Sequence, residues 1–282
     1  MDTAMDAKKT PEISIILPTY NRSAQLRRAV ESVQAQSFSN WELIIVDDAS
    51  TDDTPQTTAE LAARDHRIVV VRNKSNFHPD ISKTLNRGLA TARGRYIARI
   101  DDDDYWIDGE KLRKQFDYME HHPDCVVTGS GMVVVDISGR EQYRFLKKEA
   151  DAQIRRAALS ANPFSHTTVM FRSDIARRVG GYGRWRYAED WDLWLTMGNY
   201  GTFYNFPEYF AAYTFSGENK SFAYLRAQSR TILSFIFVHR REYPGFFRGF
   251  MLNGIQYLYS FLPAWFRRPL QNFLASMKRR TF

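Results

Sequence analysis

Four consecutive carboxylates, Asp101–Asp104, are the residues of this sequence whose spacing most directly suggests chemistry. They follow Tyr96–Ile100, a short aromatic and aliphatic run that predicts a strand. Four like charges this close repel one another, whereas a divalent cation such as Mg²⁺ or Mn²⁺, bound through carboxylate oxygens, removes that penalty. Open α/β sheets bind ligands at the carboxyl ends of their strands, where this cluster is predicted to lie. The alternative is a solvated acidic loop that leads into a helix near Gly109.

The residues before this cluster alternate between strand-like and helix-like patterns. Leu26, Val30 and Val33 recur at helical spacing, whereas Ile13–Leu17 is a continuous apolar run. Such alternation predicts βαβ units and an α/β fold with a Rossmann-like, mainly parallel central sheet flanked by helices. No G-x-G-x-x-G follows the first strand, which argues against NAD or FAD. The predicted strands are Ile13–Leu17, Glu42–Val46 and Ile68–Val71, and the predicted helices are Ser23–Gln36, Pro55–Arg64 and Ile81–Ala92.

The residues after the acidic cluster have a less regular order of elements. Helices and short strands still follow one another, but several strands come in succession without a helix between them. The predicted helices are Glu110–His121, Ala152–Leu159 and Glu189–Met197, and the predicted strands are Val126–Thr128, Met132–Asp136, Thr167–Phe171, Phe203–Asn205 and Tyr209–Thr214.

The formal charge of +7 is concentrated in residues 221–282. That segment contains ten Lys/Arg and one acid, Glu242, so its net charge is +9 and residues 1–220 carry −2. A near-neutral body argues against nucleic acid as a partner. The one cysteine, Cys125, excludes an internal disulfide and indicates a reducing, cytoplasmic compartment. Residues 1–11 lack the apolar core of a secretory signal and are predicted to form a disordered tail.

Residues 221–282 are predicted to form a helical appendage rich in aromatic and basic residues. Residues 249–266 carry no charge, but Asn253, Gln256 and Pro263 argue against a helix that spans a membrane. Basic residues beside aromatic, apolar segments favour an amphipathic helix in the membrane interface, attracted by anionic lipids. The alternative is a pair of helices that pack on the body or on a partner subunit.

Four separated segments in this order resemble the signature segments of glycosyltransferase family 2. They are Ile-Leu-Pro-Thr-Tyr-Asn at 16–21, Val-Asp-Asp-Ala-Ser-Thr-Asp at 46–52, Gly-Arg-Tyr-Ile-Ala-Arg-Ile-Asp-Asp-Asp-Asp at 94–104 and Ala-Glu-Asp-Trp-Asp-Leu-Trp-Leu at 188–195. The resemblance covers about residues 12–215 and implies an inverting enzyme with a GT-A fold. It implies a catalytic domain at 12–220, with a nucleotide-binding half at about 12–104 and an acceptor half at about 105–220. Residues 221–282 lie outside it.

The resemblance also assigns roles to residues at the strand ends. Pro18, Tyr20 and Asn21 would line the nucleotide site, and Asp48 would accept a hydrogen bond from the base, as in uridine-binding members. Asp47 would be its structural neighbour. The alternative for Asp48 is that a buried aspartate at a strand end only caps the turn at 50–55. The D-x-D acids match Asp101 and Asp103, of which Asp103 is the expected direct metal ligand. Asp102 would contact the nucleotide together with Asp101, and Asp102 and Asp104 are second choices for the metal.

Glu189-Asp190 matches the family's Glu-Asp pair, in which the aspartate is the general base. Inversion requires one in-line attack, so a carboxylate must take the proton of the acceptor hydroxyl. Asp190 is the predicted base, and Glu189 and Asp192 are the alternatives. A structural role also stays open, because three acids at a helix start suit the positive end of the helix dipole. The remaining candidates for contact with the sugar or acceptor, for which core or structural roles stay open, are Glu189, His166, Trp191 and Gly181.

Two positions depart from the family pattern. Leu85-Asn86 stands where members often have Arg-Asn, so a phosphate-contacting arginine is missing or replaced by Lys83 or Arg87. Near Ser216-Gly217-Glu218 many members have a histidine, so the remaining metal ligand is unassigned. Neither departure removes the acids that the chemistry needs.

The sequence therefore predicts a glycosyltransferase that depends on Mn²⁺ or Mg²⁺. It would move a sugar from a nucleotide-diphosphate donor, most simply a UDP-sugar, to a hydroxyl of a lipid-linked or polysaccharide acceptor. It would be cytoplasmic and peripheral at the inner face of the plasma membrane through 221–282, and a homo-oligomer is compatible with the sequence. Two alternatives stay open: a non-catalytic nucleotide-sugar or glycan-binding subunit, and a Mg²⁺-dependent phosphotransferase or nucleotidyltransferase, although no G-x-x-x-x-G-K-[ST] is present.

Overall fold

A computed structural model describes residues 10–183, 185–215 and 224–262. Within these ranges strands and helices alternate as far as β4, and strands dominate afterwards. The strands are β1 Ile13–Thr19, β2 Trp41–Asp47, β3 Ile68–Arg72, β4 Tyr96–Arg99, β5 Tyr105–Trp106, β6 Cys125–Val135, β7 Glu141–Phe145, β8 Met170–Arg172 and β9 Thr202–Thr214. The helices are α1 Ser23–Gln34, α2 Thr54–Arg64, α3 Ile81–Thr91, α4 Lys111–His121, α5 Asp151–Ala157, α6 Ser173–Arg178, α7 Glu189–Met197, α8 Leu225–Val238 and α9 Phe246–Tyr259.

The first four strands form the parallel part of the sheet, in the order β3-β2-β1-β4. Every residue of β1 and β2 is buried, which is why both read as continuous apolar runs rather than alternating ones. Because these strands run in the same direction, β1, β2 and β4 end at one edge of the sheet. The predicted α/β architecture with a Rossmann-like first half is confirmed.

The second half of the sheet is mixed. β8 joins it antiparallel to both β4 and β6, β6 pairs parallel with β9, and β5 and β7 pair antiparallel with β9 and β6. For each of β6 and β9, the sequence predicts two separate short strands, whereas in the structure each is one unbroken strand. The reason is local: the β6–β9 pairing shifts register at Ser130–Met132, so both strands continue through bulges.

Apolar side chains fill both faces of the sheet. One cluster, which includes Leu26, Val30 and Leu43, lies under α1 and α2. The other includes Leu85, Trp194 and Phe235, and it extends to the C-terminal helices. The core therefore continues beyond residue 220.

Helices α8 and α9 pack on the body, in agreement with one of the two alternatives for this segment. Ile232, Phe235 and Ile236 of α8 and Tyr243 after it belong to the core cluster. The part of the chain seen here contains no helix with the length and apolarity needed to cross a bilayer. Residues 1–9, most of the predicted tail, and residues 216–223 and 263–282 lie outside the described ranges.

Candidate active site

A cleft of about 550 Å³ opens at the edge where β1, β2 and β4 end. The two acids on which the predicted chemistry depends, Asp103 and Asp190, both line it, so the expectation that they share a cleft is confirmed. The residues that line it include Pro18, Thr19, Tyr20, Arg22, Asp48, Arg99, Asp101, Asp102, Asp103, His166, Arg186, Tyr187, Glu189, Asp190, Tyr213, Tyr224 and Gln228.

The predicted nucleotide wall is formed by the ends of the first two strands. Pro18 and Tyr20 line the cleft, and Tyr20 is 39% exposed, so its ring is open to a ligand. Asp48 also lines it, and its carboxylate accepts hydrogen bonds from Asn73 Nδ2 at 2.7 Å and from the backbone N–H of Phe77 at 3.1 Å. Asp47, in contrast, points into the protein, where its Oδ1 accepts a hydrogen bond from the Ser50 N–H at 2.9 Å. The structure thus gives the two adjacent acids different surroundings.

Asn21 holds two loops together rather than forming part of the cleft lining. Its φ of 51° puts it in the left-handed region, which asparagine tolerates better than most residues. Its Oδ1 accepts a hydrogen bond from Thr51 N–H at 2.8 Å, and its own N–H donates to Ser50 Oγ at 3.0 Å. We therefore correct the role of Asn21 from contact with the nucleotide to positioning of the two loops.

Each of the two predicted metal ligands is paired with an arginine. Arg99 Nη2 lies 2.7 Å from Asp101 Oδ1, and Arg22 Nη1 lies 2.5 Å from Asp103 Oδ2. Arg22 Nε is also 3.8 Å from Asp102 Oδ1. Two guanidinium groups therefore offset part of the negative charge that the sequence concentrates at this strand end.

The remaining charge is still unfavourable. Burial, together with the charge of Asp103, raises the pKa of Asp102 to about 7. Burial and the charge of Asp101 raise the pKa of Asp103 and hold that of Asp104 well above its usual range. Asp104 is turned away from the cleft and accepts a hydrogen bond from Thr214 N–H at 3.2 Å, which ties the cluster to β9.

These carboxylates fit a hard divalent cation. In the described ranges no three His, Cys, Asp or Glu side chains come together as a complete protein cage. Mg²⁺ needs no such cage, since it is usually held by one or two carboxylates with phosphate oxygens and waters. Asp101 and Asp103 provide two carboxylates on the cleft wall, and the raised pKa of Asp103 shows that added positive charge would be favourable there.

The other end of the cleft is formed by the first turn of α7. Ala188, with φ 54°, turns the chain sharply, and Glu189 and Asp190 follow as the first two helical residues. Asn162 Nδ2 donates a hydrogen bond to Asp190 Oδ2 at 2.7 Å. Burial in the cleft and the neighbouring charge of Asp190 raise the pKa of Glu189 to about 8. Of this pair, the structure orients Asp190 through a hydrogen bond to a neutral amide.

Asp192, an alternative base in the sequence, is excluded by its position. It is 8% exposed, and its Oδ1 lies 2.9 Å from Nε2 of His239 in a buried ion pair. His239 Nδ1 contacts Glu242 at 2.5 Å, and these carboxylates raise the pKa of the imidazole against the effect of its burial. Asp192 therefore fastens α7 to the end of α8.

His166 lies on the cleft wall, as predicted for a residue near the sugar or acceptor. Its Nε2 is 3.0 Å from the hydroxyl of Tyr182. Burial and the charge of Arg99 lower the pKa of His166 to about 4, so the imidazole is neutral at pH 7. A neutral ring can donate or accept a hydrogen bond to a sugar hydroxyl.

Two predicted sugar or acceptor contacts are placed elsewhere. Trp191 is buried, its indole N–H donates to the Ala158 carbonyl at 2.7 Å, and its ring packs on Phe235. Gly181 has φ 69° and lies against Asn86, whose Oδ1 accepts a hydrogen bond from the Tyr182 N–H at 2.9 Å. Both residues support the site from the interior, so we correct their assignment from ligand contact to packing.

Several cleft residues were not found by sequence reasoning. Arg99 is 1% exposed in a buried strand, and a buried arginine inside an apolar run is a signal that it needs an anionic partner. Arg22 and Arg186 add further positive charge, whereas Leu85, at the position of the family arginine, is fully buried. Tyr187, Tyr213, Tyr224 and Gln228 also line the cleft, and no local pattern in the sequence pointed to them.

Comparison with known proteins identifies the family. Residues 14–180, more than half of the chain, match the family described as Glycosyl transferase family 2. The chain belongs to this family. Membership agrees with the predicted resemblance, and the matched residues include the first three of its four segments but end before Glu189-Asp190.

Two curated relatives are named glycosyltransferases of this kind. The putative glycosyltransferase EpsE of Bacillus subtilis (strain 168) is 39% identical over 189 residues, which cover 66% of this chain and 66% of EpsE. The GalNAc(5)-diNAcBac-PP-undecaprenol beta-1,3-glucosyltransferase of Campylobacter jejuni is 27% identical over 199 residues, covering 69% of this chain and 62% of that protein. The chain thus spans about two thirds of the length of these relatives. Family and relatives together support a glycosyltransferase enzyme.

Solved structures share the GT-A fold. The mannosyltransferase PcManGT from Pyrobaculum calidifontis, in complex with GDP-Man and Mn2+, has a TM-score of 0.64 and 18% identity, covering 88% of this chain and 70% of that one. S. aureus TarS in complex with UDP-GlcNAc has a TM-score of 0.62 and 22% identity, covering 80% and 66%. At these identities the likeness establishes the fold alone.

Proposed function

We propose that this family 2 member is a metal-dependent inverting glycosyltransferase. It moves a sugar from a nucleotide-diphosphate donor, with a UDP-sugar favoured, to a hydroxyl of a lipid-linked or polysaccharide acceptor. The observation that carries the proposal is the cleft lined by both Asp103, which follows β4, and Asp190, in the first turn of α7. Asp101 and Asp103 would hold the cation that stabilises the charge of the leaving diphosphate, while Asp190 would receive a proton.

The base end determines the stereochemical outcome. Asp190 takes the proton of the acceptor hydroxyl as its oxygen attacks the anomeric carbon from the face opposite the diphosphate. The bond to the acceptor oxygen forms as the bond to the phosphate oxygen breaks, so the configuration inverts. The amide of Asn162 holds Asp190 Oδ2 and thereby fixes the plane of the carboxylate. His166, which lines the cleft and is neutral at pH 7, would hydrogen-bond a sugar hydroxyl.

The acidic end manages the diphosphate. Asp101 and Asp103 would hold Mn²⁺ or Mg²⁺, which when bound supplies electrostatic stabilisation to the charge that develops on the leaving group. Arg22 pairs with Asp103 and Arg99 pairs with Asp101, so the two guanidinium groups offset part of the negative charge of these carboxylates. Both arginines also line the cleft, so they contribute positive potential toward phosphate oxygens.

The nucleoside is assigned to the wall formed by β1 and β2. Tyr20 offers an exposed ring for the base, and Asp48 offers a carboxylate oxygen to the imide N–H of a uracil. A carboxylate selects a base with an N–H donor at that position, which favours uracil or thymine over a base that presents only acceptors there. The UDP-GlcNAc complex of TarS and the GDP-Man complex of PcManGT are precedents for both nucleotide classes on this fold.

A donor panel tests this proposal. Thermal unfolding midpoints are measured with UDP-, GDP- and dTDP-sugars, each with and without Mn²⁺, and transfer or donor hydrolysis is measured for the donors that bind. We expect UDP-sugars to raise the unfolding midpoint, and to do so more strongly with Mn²⁺, because an ion held by Asp101 and Asp103 would supply positive charge to the diphosphate. Donor binding without turnover would instead indicate a non-catalytic subunit. The absence of any nucleotide-dependent shift would contradict the proposal.

We assign the exposed face of α9 to an anionic membrane surface at the cytoplasmic side, where a lipid-linked acceptor would be presented. Phe247, Met251, Ile255 and Leu258 follow one another along one face of α9 and are 86%, 59%, 49% and 68% exposed. Exposed Arg248 lies on the same helix, and the chain contains no acid after Glu242. An apolar helix face beside basic residues suits a bilayer with anionic lipids. The Campylobacter relative is named a GalNAc(5)-diNAcBac-PP-undecaprenol glucosyltransferase, which is a precedent for a lipid-linked acceptor.

Vesicle sedimentation tests the membrane assignment. We expect the intact chain to sediment with phosphatidylglycerol-containing vesicles and much less with neutral ones. Leu258→Ser should weaken this binding by about fivefold, since it removes one exposed apolar side chain from the interface. Equal recovery in the supernatant with both vesicle types would contradict the assignment. Dimerisation that is lost in Leu258→Ser would assign the same face to a second copy of the chain.

A further inference from the structure

Helix α9 has two faces with different surroundings. The face with Phe247 and Leu258 is exposed, whereas Gly249 and Asn253 on the other face are buried. This buried face does not simply add apolar packing to the core. It contacts backbone carbonyls of the segment that follows α5, and that segment leads directly into the cleft.

The contact is close and polar. A Cβ atom at Gly249 would lie 2.7 Å from the carbonyl carbon of Leu159, so only glycine allows the helix to approach this far. Asn253 Nδ2 lies 3.3 Å from the Leu159 carbonyl oxygen and 3.4 Å from that of Ser160. Asn253 Nδ2 also donates to the Gly249 carbonyl of its own helix at 2.8 Å, so its two N–H groups are shared among three carbonyls, two of which belong to the segment after α5.

The same short segment holds the predicted base. Two residues after Ser160, Asn162 donates its hydrogen bond to Asp190 Oδ2 at 2.7 Å. Ala158, at the start of the segment, accepts the indole N–H of Trp191 at 2.7 Å. Residues 158–162 therefore lie between α9 and the first turn of α7, with hydrogen bonds to both.

The other helix of the C-terminal pair contacts α7 further along. Beyond α8, His239 pairs with Asp192 at 2.9 Å, and the Tyr243 hydroxyl donates to the Leu195 carbonyl at 2.8 Å. Helix α7 has nine residues and no side-chain cap at its N-terminus, so little within the helix itself fixes the direction of its first turn. External contacts must do so.

We infer that the C-terminal pair of helices, α8 and α9, positions the catalytic base, with Gly249 and Asn253 acting through residues 159–162 on Asp190. This inference rests on the proposed function. The pair, like Asp190 itself, lies outside the residues matched by the family, 14–180. A base misplaced by about 1 Å can lose on the order of a hundredfold in rate, so supporting contacts at this distance matter.

Two glycines of α9 provide a matched test. Gly249→Ala places a methyl group against the Leu159 backbone, whereas Gly254→Ala, five residues along the same helix, places one in open space. UDP-binding sites are counted by isothermal titration calorimetry, and the transfer rate is expressed per site. We expect Gly249→Ala to lower this rate about tenfold with the donor KM and the UDP Kd changed less than twofold. Gly254→Ala should retain the rate of the parent chain.

A double-mutant cycle tests the path. Asn162→Ala should lower the rate per site, and its effect should be non-additive with that of Gly249→Ala, because both act on one carboxylate. If Gly249→Ala yields no folded protein, Asn253→Ala removes the two carbonyl contacts without adding volume and should show the same loss.

Two outcomes are distinguished from each other. An unchanged rate per site in Gly249→Ala and Asn253→Ala, with only a lower unfolding midpoint, would overturn the inference and leave the helices a purely stabilising role. A parent chain that transfers no sugar from any donor of the panel would instead overturn the proposed function.

Discussion

The two acidic ends of the cleft use the same kind of side chain in opposite surroundings. At Asp101–Asp104, two arginines pair with the carboxylates, and burial still raises the pKa of Asp102 and Asp103. At Glu189-Asp190, the hydrogen-bond donor to the aspartate is the neutral amide of Asn162. The first end is organised around added positive charge, and the second around a carboxylate held in one orientation.

This difference explains how one cleft can support two tasks. A diphosphate needs cations, and the acidic cluster with its arginines is the place where cations are stabilised. A general base must take up a proton, so a guanidinium pair would be a disadvantage there, since it stabilises the charged form that the reaction consumes. An amide donor orients the carboxylate without adding a net charge.

The largest effect is expected from the base end. Asp190→Asn keeps the shape of the side chain but removes its ability to accept a proton, so the transfer rate should fall by about 10²- to 10⁴-fold. The UDP Kd, measured by calorimetry, should change less than twofold because we assign the nucleotide to the wall formed by β1 and β2. Retention of most of the transfer activity would contradict the assignment of Asp190 and direct attention to Glu189.

The acidic end should respond in two directions. Asp103→Asn removes a carboxylate that would hold the ion, so Mn²⁺ binding followed by electron paramagnetic resonance should weaken and the transfer rate should fall about 10²-fold. Arg22→Gln removes the competing guanidinium, so Mn²⁺ affinity without nucleotide should increase by about two- to fivefold, the usual scale of a partly exposed ion pair.

Arg27→Gln controls for the loss of one positive charge. Arg27 lies on α1, which begins directly after Arg22, but its partner is Glu60, outside the cleft. If Arg27→Gln and Arg22→Gln changed Mn²⁺ affinity equally, the effect would come from net charge and not from the pairing of Arg22 with Asp103.

The smallest effect concerns pH and stability. The pKa of Glu189 is raised to about 8 in the folded protein from an ordinary value near 4.3, so the folded state binds the proton more tightly than the unfolded state. Stability is therefore lost as pH rises from about 4 to about 8. Glu189→Gln removes this loss of stability. At pH 8 its thermal unfolding midpoint should exceed that of the parent chain by about 2–4 °C for each kcal/mol of unfolding free energy regained. At pH 4 the two midpoints should be equal.

Glu31→Gln, the same substitution on an exposed face of α1, is the control for losing one carboxylate. A midpoint difference for Glu189→Gln that stayed constant from pH 4 to pH 8 would show that the burial of its charge is not the cause.

The sequence by itself determined the parallel first half and the acids. Buried strands such as Ile13–Thr19 are long apolar runs, and the acids that follow Val46 and Ile100 are adjacent in the chain to the strands that position them. Local patterns are enough there, because strand direction places all these ends at one edge. The assignment of Glu189-Asp190 to the same site as the other acids came from the family resemblance. No local pattern in the sequence predicts that these residues lie near the strand ends.

Only the tertiary structure decided which partner each acid has. Asp101 and Asp103 meet Arg99 and Arg22, while Asp192 meets His239, 47 residues later, and is thereby removed from the list of bases. It also decided that Tyr224 and Gln228, from a segment assigned to an appendage, line the cleft. The physical reason is that pairing and burial depend on contacts between distant segments, and periodicity along the chain carries no information about those contacts.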